Sequence, residues 1–307
     1  MPRRPNVFAF TPLDRSHRMR REEAALALAR SHPEARVVPV WRSMSLVVSG
    51  DVTAAAMPAL LELAELTAHP EAAASLVLLG QREGVPYFAC DVSWVEQPAD
   101  LPAICRYGGE FVDLRQVGAV LPADEGALLA YARAMMSWHR RSRFCGSCGA
   151  PTESRQAGHV RTCTSCADEQ FPRSDPAVIM LVHDDAERCL LARQASWPSR
   201  VYSTLAGFVE PGESLEAAVA REVHEETGVR VSEATYHSSQ PWPFPSSIML
   251  GFFARAEVGE ILIDPEEIED AQWFAREQLR ELVERRELRL PQPLSIARRL
   301  VEDWLQG

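Results

Sequence analysis

The sequence predicts a mixed α/β protein that is built from more than one module. From residue 175 onward, extended segments alternate with helical ones, which is typical of a domain that layers helices on a sheet. The preceding segment, 144–172, is rich in Cys and Gly and has no long apolar run, so it needs a stabiliser other than a hydrophobic core. At 307 residues the chain is long enough for one large domain or about two to three small ones.

The N-terminal region, 1–122, is expected to form an α/β domain of its own. Helices are expected at 22–30 and 54–66, where Ala, Leu and Glu predominate. Strands are expected at 36–48, 76–79 and 86–92, which are rich in apolar and β-branched residues. The region shows no catalytic constellation, which favours a role as a scaffold or as a dimer contact.

A connecting helix is predicted over 123–143, with its most regular part at 124–141. Acidic residues at its start and basic residues at its end match the helix dipole. Apolar residues recur at helical spacing, which is more typical of a buried face than of a binding surface. These residues are Leu128, Tyr131, Met135 and Trp138.

The C-terminal region, 173–307, is expected to form a second α/β domain. Its predicted strands are 177–182, 189–192, 229–236 and 248–256. A loop followed by a helix is expected at 207–228, and a further helix at 293–305.

The composition excludes several classes of function. The net charge is −11, and all 32 positive side chains are Arg because the chain has no Lys. A Schiff-base lysine and a phosphate-binding P-loop lysine are therefore excluded. The chain has no apolar run of membrane-spanning length and no recognisable signal peptide, so a cytoplasmic protein without a membrane partner is expected. The acidic balance argues against broad non-specific binding of nucleic acid.

Four of the seven cysteines form two CxxC pairs, which are separated by 14 residues. Cys145 and Cys148 form the first pair, and Cys163 and Cys166 form the second. Four thiolates at this spacing suit tetrahedral Zn²⁺, and because the set leaves no open position, one structural zinc per chain is expected. Disulfides, or another metal or redox site, are the alternatives. The odd number of cysteines does not suit a secreted disulfide framework.

The segment 207–229 carries the strongest functional signal. Ser214 is a plausible N-cap and Gly228 a plausible C-terminal stop for a helix. Between them, apolar residues recur at helical spacing and predict one buried stripe, formed by Leu215, Ala218, Val219 and Val223.

Three carboxylates crowd another face of this helix. Glu222, Glu225 and Glu226 stand at positions i, i+3 and i+4 near the C-terminal end, where acidic side chains oppose the helix dipole. Such a placement is tolerated if a hard divalent cation lies among the carboxylates. Arg221 lies four residues before Glu225 and can hold it by a forked ion pair. A solvated acidic face is the alternative.

The same segment matches the Nudix signature G-x5-E-x7-R-E-U-x-E-E-x-G-U, in which U is aliphatic. Its constrained positions are Gly207, Glu213, Arg221, Glu222, Val223, Glu225, Glu226, Gly228 and Val229. The chain is therefore identified as a member of the Nudix hydrolases. This resemblance implies an α/β/α sandwich with a mixed sheet, and hydrolysis of a nucleoside diphosphate linked to another group with Mg²⁺ or Mn²⁺ as cofactor.

The resemblance also implies roles for individual residues. Glu222 and Glu226 match the metal ligands of the family, and Glu225 matches the third acid of the cluster. Either Glu225 or Glu226 could accept a proton from the attacking water. The backbone carbonyl of Ala206 and the carboxylate of Glu267 match further metal-binding positions.

A proline-rich segment, 239–247, begins ten residues after the signature and is called the arm below. Three prolines alternate with Trp and Phe, which predicts a stiff extended segment whose rings could stack on a base or a pyridine ring. A packed turn is the alternative. The arm residues predicted to bind substrate are Gln240, Pro241, Trp242, Pro243, Phe244, Pro245, Ser246 and Ser247.

The string SQPWPFPSS in the arm resembles the array that marks the NADH pyrophosphatase subfamily of Nudix hydrolases. This subfamily also has a four-cysteine zinc ribbon, here at 144–172, before its catalytic domain, here at 173–307. Its degenerate Nudix-like N-terminal domain corresponds in length to 1–122. Phe171 matches an aromatic substrate-binding position where many relatives have Tyr, and Ala297 matches a C-terminal position that contacts the substrate.

The resemblance implies hydrolysis of the pyrophosphate of NAD(H) to nicotinamide mononucleotide and AMP. The same chemistry would remove NAD caps from RNA 5′ ends, and a homodimer is expected because relatives are dimers. Two alternatives stay open, namely a broad pyrophosphatase for ADP-ribose and dinucleotides, and a nucleotide-sensing regulator that binds nucleic acid. The intact acid cluster favours a catalyst over a sensor.

Overall fold

The computed structural model describes residues 5–10, 12–48, 56–257 and 259–307. These residues form two compact units. Unit 1 comprises the described residues before Phe8 together with Asp175–Pro241 and Ser247–Gly307. Unit 2 comprises the described part of Phe8–Ser174 together with Trp242–Ser246. Among the helices of these ranges, none has both the length and the apolar character needed to cross a bilayer.

Unit 2 contains a mixed seven-stranded sheet. Its strands are β1 (Arg36–Trp41), β2 (Met44–Val48), β3 (Met57–Pro58), β4 (Leu61–Glu62), β5 (Val77–Arg82), β6 (Val85–Asp91) and β7 (Glu110–Val112). The main path runs β3-β2-β1-β6-β5, while β4 pairs with β1 and β7 with β2. The β1–β6 pair is parallel and the other pairs are antiparallel.

Six α-helices are described in the same unit. They are α1 (Glu23–Arg30), α2 (Leu63–Thr67), α3 (Pro70–Ala74), α4 (Pro102–Tyr107), α5 (Leu114–Val117) and α6 (Ala123–Arg141), with 3-10 turns at Met19–Arg21, Pro98–Asp100 and Gln156–Gly158. Helix α6 confirms that a helix lies within the predicted range 123–143. Leu128, Met135 and Trp138 of its apolar stripe are buried, so the stripe is a core face.

The helix predicted at 54–66 is wrong over most of its length. Strands β3 and β4 occupy Met57–Pro58 and Leu61–Glu62, and helix α2 begins only at Leu63, while residues 54 and 55 lie outside the described part of the chain. Pro58 gives the physical reason, because proline lacks an N–H and clashes with the preceding turn inside a helix. It is tolerated in β3, which lies at the edge of the sheet.

The cysteine-rich segment of unit 2 forms a small antiparallel sheet. Its strands are β8 (Thr152–Arg155), β9 (Val160–Cys163) and β10 (Glu169–Gln170), in the order β10-β9-β8.

Unit 1 contains a mixed six-stranded sheet. Its strands are β11 (Asp175–His183), β12 (Arg188–Arg193), β13 (Leu205–Phe208), β14 (Val231–Trp242), β15 (Ser247–Ala256) and β16 (Asp270–Ala275), and its helices are α7 (Leu215–Thr227), α8 (Arg276–Glu284) and α9 (Ile296–Gln306). The order is β14-β15-β11-β12-β16, with β13 paired to β11, and the β11–β15 pair is parallel over nine residues.

Alternation along β11 shows that unit 1 is an α/β/α sandwich. Val178 and Met180 pack in one core with Val219 of α7. Ile179 and Leu181, which point to the opposite face, pack in a second core with residues of α8 and α9. A strand buried on both faces needs a helical layer on each side, and this confirms the predicted fold class.

Candidate active site and zinc ribbon

The signature carboxylates are carried by α7, whose ends are set by local residues. Ser214 Oγ accepts a 3.2 Å hydrogen bond from the backbone N–H of Ala217. Gly228 ends the helix with φ of +69°, a left-handed conformation that favours glycine. The predicted buried stripe is confirmed, and it consists of Ala218, Val219 and Val223 with Leu215 packed at its margin.

A cavity of about 660 Å³ lies beside this helix. It brings together five of the residues predicted to act in the site, namely Ala206, Arg221, Glu222, Glu226 and Glu267. Glu225 is not among the lining residues. The other lining residues are Gln194, Ala195, Ser196, Gly207, Phe208, Glu210, Pro265, Glu266 and Glu269.

Gly207 lets the Glu222 carboxylate lie directly against the backbone of β13. A Cβ atom at position 207 would stand 1.8 Å from Glu222 Cδ and 1.9 Å from Glu222 Oε1. Any side chain at this position would therefore displace the carboxylate. The first glycine of the signature is explained by this close approach.

Arg221 organises the acidic residues around it. Its Nε and Nη2 donate to the two carboxylate oxygens of Glu213 at 2.8 and 2.9 Å, and Nη2 also donates to the Phe208 carbonyl at 2.9 Å. Its Nη1 lies 2.9 Å from carboxylate oxygens of both Glu222 and Glu225. The Arg221 hydrogen bonds lower the pKa of Glu213 to about 2, so this carboxylate stays ionised.

Glu226 is the most buried carboxylate of the site, with 5 % of its surface exposed. Burial raises its pKa to about 8, and the negative charges of Glu222, Glu267 and Glu225 add to the effect. Its Oε2 atom is buried and has no hydrogen-bond partner among the described residues. The pKa of Glu222 is also raised, chiefly by burial.

Backbone hydrogen bonds tie the loop that carries Glu267 to the end of α7. Leu262 N–H donates to the Thr227 carbonyl at 2.8 Å, and Asp264 N–H donates to the Glu226 carbonyl at 3.2 Å. These bonds bring the Glu267 carboxylate close enough to raise the pKa of Glu226.

The acidic residues of the cavity are of the type that a hard divalent cation prefers, although the ligand atoms of Glu222, Glu226 and Glu267 do not all lie within 4.8 Å of one another as the four cysteine sulfurs do. A buried carboxylate oxygen without a partner is costly, and a cation would satisfy it. Glu222, Glu226 and Glu267 are the side chains that would hold the ion, and the carbonyl of Ala206 is available on the same cavity wall.

The four cysteines of the two CxxC pairs meet in unit 2. Cys145, Cys148, Cys163 and Cys166 place their sulfur atoms within 4.8 Å of one another, and all four are free thiols. Cys148 Sγ lies 3.4 Å from Cys163 Sγ and 3.5 Å from Cys166 Sγ. These separations exceed a disulfide bond and suit a shared metal ion.

Backbone N–H groups stabilise the thiolate form of Cys163 in this cluster. The N–H groups of Cys166 and Ser165 donate to Cys163 Sγ at 3.4 Å and lower the pKa of that thiol to about 6. The N–H of Ser147 donates to Cys145 Sγ at the same distance. The cluster thus supports a structural zinc ion.

The structure gives Gln240 a role within unit 1. The side chain is 1 % exposed, and its Nε2 donates to the carbonyls of Leu294 at 2.8 Å and Val7 at 3.1 Å. Its Oε1 accepts from the backbone N–H of Ile296 at 2.8 Å. Both polar atoms of the amide are therefore hydrogen-bonded to backbone groups. The side chain anchors the start of the arm and has no free polar atom to offer a substrate.

The remaining predicted substrate-binding residues lie in several surroundings. Pro241 and Ser247 belong to unit 1, whereas Trp242–Ser246 and the exposed Phe171 belong to unit 2. Ala297 belongs to α9 and is buried in the core that this helix covers. These residues are not among the described residues that line the cavity.

Phe208 is a candidate site residue that the sequence reasoning missed. Its side chain is 61 % exposed and lines the cavity, although a large apolar group normally avoids water. The available signal was its position inside the signature, directly after Gly207, where the pattern accepts any residue. An exposed ring at this point can stack on a flat group of a ligand.

Three family models match the chain in succession. An NADH pyrophosphatase-like rudimentary NUDIX domain matches 34–138, an NADH pyrophosphatase zinc ribbon domain matches 140–171, and a NUDIX domain matches 173–293.

Relatives with assigned names match most of the chain. The NAD-capped RNA hydrolase NudC of Mycobacterium bovis (strain BCG / Pasteur 1173P2) is 40 % identical over 303 residues, which cover 95 % of this chain and 92 % of the relative. NudC of Stutzerimonas stutzeri is 43 % identical over 227 residues, 74 % of this chain and 76 % of the relative. Nudix hydrolase 19, chloroplastic, of Arabidopsis thaliana is 42 % identical over 252 residues, 76 % of this chain and 56 % of the relative.

Proposed function

Because the chain belongs to the Nudix hydrolases, among the members with an NADH pyrophosphatase zinc ribbon, we propose that it hydrolyses the pyrophosphate bond of NAD(H). The products are nicotinamide mononucleotide and AMP. The observation that carries this proposal is the unpartnered Glu226 Oε2 in a cavity that it shares with Glu222 and Glu267. We propose Mg²⁺ or Mn²⁺ as the cation of this site.

The side chains of the cavity have different roles in the proposed reaction. A divalent cation, when bound, neutralises charge on the pyrophosphate and polarises the attacking water. Glu222, Glu226 and Glu267 would hold the ion, and Arg221 fixes the orientation of Glu222. We assign proton acceptance to the Glu226 carboxylate, through an oxygen that does not hold the ion, since Glu225 is held by Arg221 outside the cavity lining. The exposed ring of Phe208 offers a stacking face.

Turnover of NADH with added Mg²⁺, with added Mn²⁺ and with a chelator tests the proposal. Glu226→Gln should lower kcat by about two or more orders of magnitude while the zinc content and the melting temperature stay unchanged. Glu216→Gln is the matched control, because Glu216 is exposed in the first turn of the same helix. Near-full activity of Glu226→Gln would contradict the assignment. Tight NADH binding without turnover by the unmodified protein would favour the nucleotide-sensing alternative.

NAD-capped RNA is the second substrate that we propose. Two of the relatives described above are named NAD-capped RNA hydrolases, and one of them aligns with almost the whole chain. Side-by-side kcat/KM values for NADH, NAD⁺, ADP-ribose and NAD-capped RNA would rank the substrates. A preference for ADP-ribose would support the broad pyrophosphatase instead.

Family membership also supports a cytoplasmic homodimer as the working form. Light scattering of the purified, zinc-loaded chain tests the dimer, and a mass of one chain, 34.2 kDa, would contradict it.

A further inference from the structure

The tip of the arm, Trp242–Ser246, belongs to unit 2. The strands β14 and β15 that precede and follow it lie mainly in unit 1. Within the tip, Pro243 is buried, and the rings of Trp242 and Phe244 meet edge to face with centroids 5.0 Å apart. Phe8 of the same unit also packs against the tip, with its ring centroid 6.3 Å from that of Phe244.

Arg133 of helix α6 makes two contacts with the tip. Its Nε donates a 2.8 Å hydrogen bond to the carbonyl of Pro243. Its guanidinium carbon lies 4.7 Å from the centroid of the Phe244 ring, which is the geometry of a cation–π contact. One planar guanidinium group thus contacts both the backbone and an aromatic ring of the arm.

The surroundings of Arg133 show that this contact is its main interaction. Burial lowers the pKa of Arg133, while the negative charge of Asp113 acts in the opposite direction. Arg115 also faces the Phe244 ring, at 5.4 Å, but its guanidinium is bound to the Asp113 carboxylate at 2.7 and 3.1 Å. Because Arg115 already holds the Asp113 carboxylate, the half-buried guanidinium of Arg133 needs further stabilisation, and the Pro243 carbonyl and the Phe244 ring provide it.

We propose that Arg133 is a positioning residue for substrate specificity, through which unit 2 holds the Trp242 and Phe244 rings of the arm. This inference rests on the proposed function and on the prediction from the sequence that the arm binds the dinucleotide. It assigns unit 2 a part in substrate selection, in addition to a role as a scaffold. Arg133 acts through Phe244 and Trp242, so its loss should affect binding of the substrate more than the chemical step.

The kinetic test compares Arg133→Met with the unmodified protein. Methionine keeps an apolar stem and removes the guanidinium. KM for NADH should rise about tenfold and kcat should change less than about twofold, because the site on α7 is untouched. KM for ADP-ribose should change less, since that substrate lacks the nicotinamide ring. Arg141→Met is the matched control, because Arg141 is an exposed arginine of the same helix.

A double-mutant cycle shows whether Arg133 acts through the arm. In a Phe244→Ala background, Arg133→Met should raise KM for NADH much less than it does in the unmodified protein. Equal effects in both backgrounds would indicate a general structural role and would overturn the inference. Partial recovery is expected with Arg133→Lys, which keeps the charge but not the planar fork.

A readout independent of activity separates this inference from the proposed function. In protein labelled with 5-fluorotryptophan, the ¹⁹F resonance of Trp242, assigned with Trp242→Phe, should move in Arg133→Met and stay in place in Arg141→Met. An unmoved resonance with an unchanged KM overturns the positioning role. A moved resonance in a protein that does not hydrolyse NADH would instead retain the positioning of the arm and reject the proposed function.

Discussion

The three carboxylates of the signature experience different surroundings, although they lie within about one turn of a helix. The Glu225 side chain is 58 % exposed and bound to Arg221, whereas Glu226 is buried with an unpartnered oxygen. Glu222 lies against the backbone of Gly207. The spacing predicted that these side chains share a face. Two of them line the cavity and one is exposed because of β13 and the loop before Glu267. These segments lie outside the helix, so the spacing of residues along the helix could not predict this difference.

Gly207→Ala tests how closely Glu222 must approach the backbone. The added Cβ would stand 1.8 Å from Glu222 Cδ, so the carboxylate has to move. Because the obstructed group is the end of a flexible side chain, the stability cost should be small, while kcat for NADH should fall by about tenfold or more. Gly259→Ala is the control, since a Cβ there meets no atom within 4 Å. Unchanged kinetics would show that Glu222 can act from a displaced position.

Trp242→Ala tests the contact of the arm with the nicotinamide end of the substrate. If the indole stacks on that ring, KM for NADH should rise by about tenfold and KM for ADP-ribose by much less. Trp94→Ala is the control, because Trp94 is also partly exposed and its ring packs against His69. Equal increases for the two substrates would remove the indole from the recognition of nicotinamide.

At the scale of elements, the zinc ribbon was the part most readily predicted. Two CxxC pairs define a metal site through local spacing alone, and the fold brings all four sulfurs within 4.8 Å of one another. The helix predicted at 54–66 was wrong because composition outweighed the signal of one residue, Pro58. Helix α8 and strand β16 were not predicted, since both are short and α8 is rich in charged residues.

Cys148→Ser should show that the zinc is structural. Loss of one thiolate should lower the zinc content from about one ion per chain and reduce the melting temperature by several degrees, because the three-stranded ribbon lacks a core of its own. Elemental analysis and calorimetry measure the two effects. Cys105→Ser is the control, since Cys105 is an exposed thiol outside the cluster. An unaltered melting temperature in a zinc-free variant would contradict a stabilising role.

At the scale of the whole molecule, long-range contacts account for what the sequence did not reveal. The α/β/α layering was implied by the resemblance to the Nudix hydrolases, which rests on the local signature at 207–229. Local patterns predicted four strands of this unit together with helices α7 and α9, but not β13, β16 or α8. The use of Gln240 was not predictable, since its partners Val7, Leu294 and Ile296 are all more than 50 residues away. Arg133 and Pro243 are likewise 110 residues apart. A motif identifies which residues matter, but the role of a side chain depends on which groups the fold places around it.

The stability of unit 2 should depend on pH through two histidines that are largely buried. Burial lowers the pKa values of His139 and His159 to about 4, below the ordinary value of 6.5. The His139 ring donates from Nε2 to the Gly158 carbonyl at 2.8 Å, and its Nδ1 accepts from Arg161 at 3.1 Å, so both nitrogens are occupied in the neutral form. His159 Nε2 donates to the Leu78 carbonyl at 2.7 Å.

The unfolded chain binds these protons near pH 6.5, whereas the folded chain binds them only near pH 4. The free energy of unfolding should therefore be highest above pH 6.5 and should decrease as the pH falls from 6.5 to about 4. In His139→Gln the amide can keep both hydrogen bonds without titrating, so its melting temperature should fall less steeply from about pH 7.5 to about pH 5. Calorimetry across this range, with zinc content followed in parallel, measures the slope. His17→Gln, at an exposed position, should keep the steeper slope of the unmodified protein. Identical slopes for all three proteins would show that His139 takes up its proton in the folded state as readily as in the unfolded chain.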